Sequence, residues 1–248
     1  MLISRDTKMV DLILDNYHLI PIISRFGIKL GFGGKTVSEI CLQNDIDTDF
    51  FIGIINTFNH PENLQTDKLQ KISLRQTVDY LRRSHTYFNN VKLPYIEELI
   101  GQLQWKDKQL HQKNKKLLLG FFEQYRKEVC EHTGNEEKKV FPFMLLLEDC
   151  CNNEATLQQY SQKVQDNSLS DYREHHETLN AALLDLKTII IKYLPPADNP
   201  EISEQILLEI FRLEKDMDDH TRIEDHVLVP IAWQMEQKLR KKMKHGNA

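Results

Sequence analysis

From about Leu69 onward the apolar residues recur at spacings of three and four, Gly and Pro are sparse, and the two-residue alternation of a strand is missing. This pattern predicts helix almost throughout. The punctuation divides it into four long segments, roughly 69–104 with a break near Pro94, 108–152, 168–194 and 200–228. Asn152 and Asn153 end the second, and Pro195, Pro196, Asn199 and Pro200 separate the third from the fourth. Ahead of them lie short helical pieces, from Met9 to Leu14, Val37 to Cys41 and Phe50 to Ile55, around a glycine-rich bend from Gly27 to Gly34. Between Asn59 and Thr66 the periodicity is lost around Pro61 and Asn63, as in a linker. The expected fold is all-α: a small helical domain over 1–57, a linker over 58–68 and a four-helix bundle over 69–248.

Each long segment can be written as a seam at alternating three and four spacing, the pattern by which left-handed bundles bury one face of every helix. The first runs Leu74, Val78, Leu81, His85, Phe88, and the second Phe121, Tyr125, Val129, His132, Glu136, Val140, Phe143, Leu147. The third runs Tyr172, His175, Leu179, Ala182, Leu186, Ile189. The fourth runs Ile206, Ile210, Leu213, Met217, His220, Glu224 and continues to Val227. Four helices thus each turn a histidine inward, and two add a glutamate one turn later on the same face. An ionised carboxylate buried without partners costs several kcal/mol, so buried charges are normally paired or bound to metal. Imidazole with carboxylate suits iron, manganese or zinc, and two glutamates facing each other across a bundle suit a pair of ions.

Composition narrows the function. The net charge is -5 with 28% charged residues and no long basic run, which speaks against a nucleic-acid partner. Arg5, Asp6, Lys8 and Asp11 interrupt the start of the chain, and no later apolar run approaches membrane-spanning length, so the expectation is a soluble, cytoplasmic protein with no membrane partner. Four cysteines in a chain of this size, two of them adjacent at Cys150 and Cys151, read as thiols rather than a disulfide framework. His18, His60, His111, His176, His226 and His245 lie off the seams and carry no assigned role. Glu128, one turn before His132, and Glu174, next to His175, are candidates for outer support of the ligands. The Gly33-Gly34-Lys-Thr stretch lacks the earlier glycine of a phosphate loop, whose place holds Lys29.

The order His85, then His132-Thr-Gly-Asn-Glu136 followed by Phe141-Pro142, then Glu174-His175, then His220-Thr-Arg-Ile-Glu224 followed by Val229-Pro230, resembles the hemerythrin-like domain of the repair-of-iron-centres family. The resemblance extends to the small leading domain through Arg25-Phe-Gly-Ile, Gly33-Gly34-Lys-Thr-Val and Glu39-Ile-Cys41. It implies a non-haem di-iron centre with His85, His132, His175 and His220 as terminal ligands and Glu136 and Glu224 as bridges. It also implies a role in nitric oxide and oxidative stress, with damaged iron-sulfur proteins as partners. The leading domain of that family carries a Cys-Cys pair just before its two glycines, and here Gly31 and Phe32 stand in its place.

Oxygen carriers of the hemerythrin type have a further histidine one turn after the third-helix histidine, a place held here by Leu179. One ligand fewer leaves open positions on the metal, which favours binding and reducing nitric oxide or dioxygen over reversible carriage. A structural bundle with a vestigial site is the blandest reading, and two functional classes remain open beside it at this point. One is a di-iron oxidoreductase acting on nitric oxide, and the other a non-enzymatic sensor or iron-delivery module reading the same small oxidants.

Overall fold

The computed structural model describes residues 2–59, 72–153 and 176–246. Most of the 58–68 linker, together with Tyr172, Glu174 and His175, lies outside them. Among the described residues there are eight helices and no strand. Four are short: α1 (Met9–Asp15), α2 (Leu19–Arg25), α3 (Val37–Gln43) and α4 (Thr48–Asn59). Four are long and continuous, each containing or ending in one π turn. Helix α5 comprises Leu74–Tyr87, the turn Phe88–Lys92 and Leu93–Gln102, and α6 comprises Lys108–Asn135, Glu136–Val140 and Phe141–Asn152. Helix α7 comprises His176–Thr188 and Ile189–Tyr193, and α8 comprises Pro200–Ile223, Glu224–Leu228 and Val229–Gly246. The fourth long helix therefore continues well past the 228 expected from sequence. Ile231, Ala232 and Leu239, all buried, carry its apolar face onward beyond Pro230.

All four π turns have one cause. Each is followed by one residue and then a proline, the intervening residues being Leu93, Phe141, Leu194 and Val229. A proline inside a helix has no N–H to give the carbonyl four residues back, and its ring collides with that carbonyl. In each case the preceding residue donates to the carbonyl five back instead: Leu93 to Phe88, Phe141 to Glu136, Leu194 to Ile189 and Val229 to Glu224. The widened turn takes up the misfit without breaking the rod, so the break expected near Pro94 is a π turn. Where two prolines follow, at Pro195 and Pro196, Leu194 turns extended (ψ 137°) and α7 stops.

The chain divides into two compact units, residues 1–84, 143–165 and 222–248, and residues 85–142 and 166–221. In the first unit, Thr36 caps α3 by accepting from the Glu39 amide at 3.3 Å while its own amide donates to Glu39 Oε2 at 2.8 Å. These bonds to Thr36 hold the Glu39 carboxyl below the usual carboxylate range. The positive φ of Gly27, Gly31 and Gly33 turns the chain between α2 and α3. Phe26 lies 4.9 Å from Phe51 and 5.1 Å from Tyr80, ring centre to ring centre, and Arg83 Nη1 donates to the Arg25 carbonyl at 3.0 Å, so α5 packs against the leading helices. Buried Glu148 accepts from Ser73 Oγ at 2.9 Å and from the Arg75 amide at 3.2 Å, tying the start of α5 to α6. The four cysteines are thiols, and burial pushes Cys41 up to about 11.

In the second unit a single apolar cluster draws on all four long helices, with Phe88 and Ile96 from α5, Phe122 and Tyr125 from α6, Leu183 from α7 and Ile210 from α8 among its members. This unit is a four-helix bundle. Its core departs from the sequence seam at Phe121, which is 45% exposed while Phe122 is 1% exposed. Counting back from Tyr125 by three and seven reaches Phe122 and Leu118, both buried, whereas the step of four to Phe121 turns away from the bundle axis. Among the described residues no helix is long and apolar enough to cross a membrane.

Candidate metal centre

The first seam is buried as read: Leu74, Val78 and Leu81 are fully enclosed and His85 is 3% exposed, on the turn before the α5 π segment. Glu136 opens the π turn of α6 and Glu224 that of α8, each four residues after a histidine, His132 and His220. π turns recur at functional sites because the extra residue re-aims side chains relative to a regular helix. Here one adjoins His85, Glu136 and Glu224. Past Glu136 the buried face widens, so that Phe141 and Met144 are fully buried beside the seam residues Phe143 and Leu147, while Val140 is only half-buried.

The structure brings His85, Glu136, His220 and Glu224 together. All four are buried, and each offers one ligand atom such that these atoms lie within 4.8 Å of one another. His85 Nε2 stands 3.1 Å from Glu136 Oε2 and 3.2 Å from His220 Nε2. His132 joins from the same helix as Glu136, with Nε2 3.2 Å from Glu136 Oε1, and is slightly more open at the side chain. His175 lies outside the described residues. Two imidazole nitrogens 3.2 Å apart can both reach one ion at bonds of about 2.1 Å with an angle between them of roughly 100°, close to what tetrahedral or octahedral coordination needs. Two carboxylates at 1% and 0% exposure beside three imidazoles are donors that could hold a metal ion, so the residues present fit the group that the sequence pattern implies.

Support around the cluster comes from a residue the seam reading passed over. Glu137 Oε1 lies 3.0 Å from His85 Nδ1, which leaves Nε2 as the nitrogen facing Glu136 and His220. A carboxylate on the far nitrogen fixes ring orientation and makes the imidazole a better donor. The available signal was adjacency: on the widened turn that starts at Glu136, the next residue is a second acid. Glu128 instead accepts from Gln124 Nε2 at 2.8 Å on its own helix, and Glu174 lies outside the described residues. Aromatic rings bracket the imidazoles, Phe141 stacked on His85 at 5.3 Å between centroids and Phe88 edge-on to His220 at 5.6 Å. Beneath them Tyr125, 1% exposed, directs its hydroxyl to Met217 Sδ at 2.9 Å, and burial raises its pKa above the phenol range. Replacing Glu137 by Gln keeps a hydrogen-bonding group but removes the charge. Iron affinity, measured by competition with a coloured chelator, is expected to fall about 10- to 100-fold while the helical circular dichroism is unchanged.

No protein-family model matches the chain. The chain is similar to the iron-sulfur cluster repair protein ScdA of Staphylococcus haemolyticus, with 21% identity over 235 residues that span 92% of this chain and 98% of that protein. Taken with the histidine and glutamate pattern of α5, α6 and α8, this similarity supports the resemblance to the repair-of-iron-centres proteins read from the sequence.

Proposed function

We propose that the chain holds two iron ions at this cluster and serves the repair of iron-sulfur clusters damaged by nitric oxide or oxidants. The buried His85, Glu136, His220 and Glu224 group carries this reading, and the relative named for iron-sulfur cluster repair supports its direction. Iron bound there supplies one-electron redox chemistry and open coordination positions for a diatomic ligand. Manganese and zinc accept the same donors, but zinc has no redox chemistry to offer an oxidant.

The chain's own residues divide the remaining work. Glu136 and Glu224 supply negative charge in a site closed to water, where it acts at a low effective dielectric. Glu137 holds the His85 ring in register, and Phe141 and Phe88 fix the planes of the His85 and His220 rings and exclude solvent. Leu179, where an oxygen carrier would offer a further imidazole, is 5% exposed within the bundle core and contributes no donor.

The deciding experiment mixes iron-loaded protein, without oxygen, with a [4Fe–4S] enzyme inactivated by nitric oxide. Recovered enzyme activity, in step with iron leaving this chain, is expected for donation. Steady nitric oxide consumption in the presence of an electron donor is expected for turnover. Neither outcome, with a loaded centre, overturns the repair function and leaves the regulatory class.

A further inference from the structure

The two acids that open the π turn of α6 meet one imidazole through its two nitrogens. His85 Nε2 lies 3.1 Å from Glu136 Oε2, and His85 Nδ1 lies 3.0 Å from Glu137 Oε1. Both distances are set by the spacing and register of α5 against α6 at that level, and a binding constellation works only when its parts are placed to within about 0.5 Å. A polar tie sits one turn away. Asn89, four residues after His85 and within the π turn of α5, donates from Nδ2 to Thr133 Oγ1 at 3.0 Å, and Thr133 comes four residues before Glu137. A step of four along α5 is thus matched by a step of four back along α6. The contacts of His85 with Glu137 and of Asn89 with Thr133 are therefore successive links between the same two helices.

We propose that Asn89 is a positioning residue of the metal centre, acting through Thr133 to hold α5 and α6 at the spacing where His85 meets Glu136 and Glu137 together. The surroundings of the tie suit that work. Thr133 is 3% exposed, and its hydroxyl donates to the Val129 carbonyl at 3.0 Å, which leaves the oxygen free to accept from Asn89. At the other end of the amide, Asn89 Oδ1 accepts from the Cys130 thiol at 3.6 Å. With both ends engaged the amide has one orientation, and a connected buried network of this kind rigidifies the elements it joins. The widened turn that begins at Phe88 carries Asn89, so the same distortion that follows His85 along α5 supplies the residue that fixes it against α6.

This role rests on the metal reading above, and the test separates the two. Iron affinity is measured by competition with a coloured chelator, alongside the melting temperature of the metal-free full chain. Asn89→Ala is expected to weaken iron binding about tenfold, and Thr133→Val, which keeps the shape and loses the hydroxyl, to do the same. Thr133→Ser keeps the hydroxyl and should retain the parent affinity. Asn89→Ala with Thr133→Val in one chain should weaken binding no more than either change alone, because the pair acts as one unit. Leu118→Ala, in the apolar cluster about 21 Å along α6 from His132, is expected to lower the melting temperature and leave the affinity unchanged, so that a general loss of stability does not imitate the effect. Parent affinity in both Asn89→Ala and Thr133→Val overturns the proposal while the metal centre stands. So do losses that add in the double variant, or a loss in Leu118→Ala as large as theirs. A parent chain that takes up no metal overturns both.

Discussion

Protein carrying Glu136→Gln and Glu224→Gln is expected to emerge from anaerobic purification with less than about one tenth of the iron held by the parent chain. The amide keeps the size of each side chain and removes the charge that a cation needs, so the helices remain and the donor set does not. A second readout separates this from simple unfolding. Without metal, the parent buries two carboxylates at 1% and 0% exposure, and burying charge is costly. The metal-free double variant should therefore melt at a higher temperature than the metal-free parent, and the iron-loaded parent higher than both, because a ligand that binds only the folded state stabilises it. Elemental analysis and calorimetry on the same samples check both statements. A parent chain that takes up no iron, manganese or zinc would sink the metal centre outright.

Lys92→Met is expected to cost about 3–5 kcal/mol of stability, the second large effect. Lys92, in the π turn of α5, and Glu209, on α8, form an ion pair in which both residues are 7% exposed. Removing the lysine leaves a buried carboxylate whose other contact is Arg212 Nη1, at 2.5 Å on a half-exposed side chain. Replacing both partners, Lys92→Met with Glu209→Leu, is expected to recover most of the loss, because an apolar pair of similar volume fills the site without desolvated charge. Urea unfolding of the two variants gives the comparison, and equal destabilisation by the single and the double change would refute it.

The same pair sets a pH dependence. Burial pushes the Glu209 carboxyl up, but the hydrogen bonds and charges of Lys92 and Arg212 outweigh it and hold the group below the usual carboxylate range. Its folded pKa is therefore depressed. The stability it contributes is present above the unfolded value of about 4.3 and is lost as pH falls through the lower folded value. The parent should accordingly lose stability below about pH 4 more steeply than the Met and Leu double variant.

Much of this molecule is legible in one dimension because the signals involved are local. The three-and-four spacing of Leu74, Val78, Leu81 and His85 names an inward face, and all four residues are buried. The pairs His132 with Glu136 and His220 with Glu224 are one turn apart in sequence and remain so in space. The prolines at 94, 142, 195 and 230 explain every π turn among the described residues once the missing N–H is followed to its carbonyl. Reading Pro94 as a break instead overlooked that a helix held by three neighbours can widen by one residue at less cost than losing its packing.

What sequence by itself determined was therefore the all-helical class, most of the long spans, and which histidines and glutamates share a face, since these depend on periodicity and on the chemistry of single residues. Tertiary structure alone decided which side chains meet. A rotation of about 100° per residue separates buried Phe122 from exposed Phe121, and only packing against three other helices fixes that angle. Glu137 rather than Glu128 reaches His85, and Lys92 finds Glu209, because such partners are 52 and 117 positions apart along the chain and are chosen by distance between helices, which no local pattern encodes.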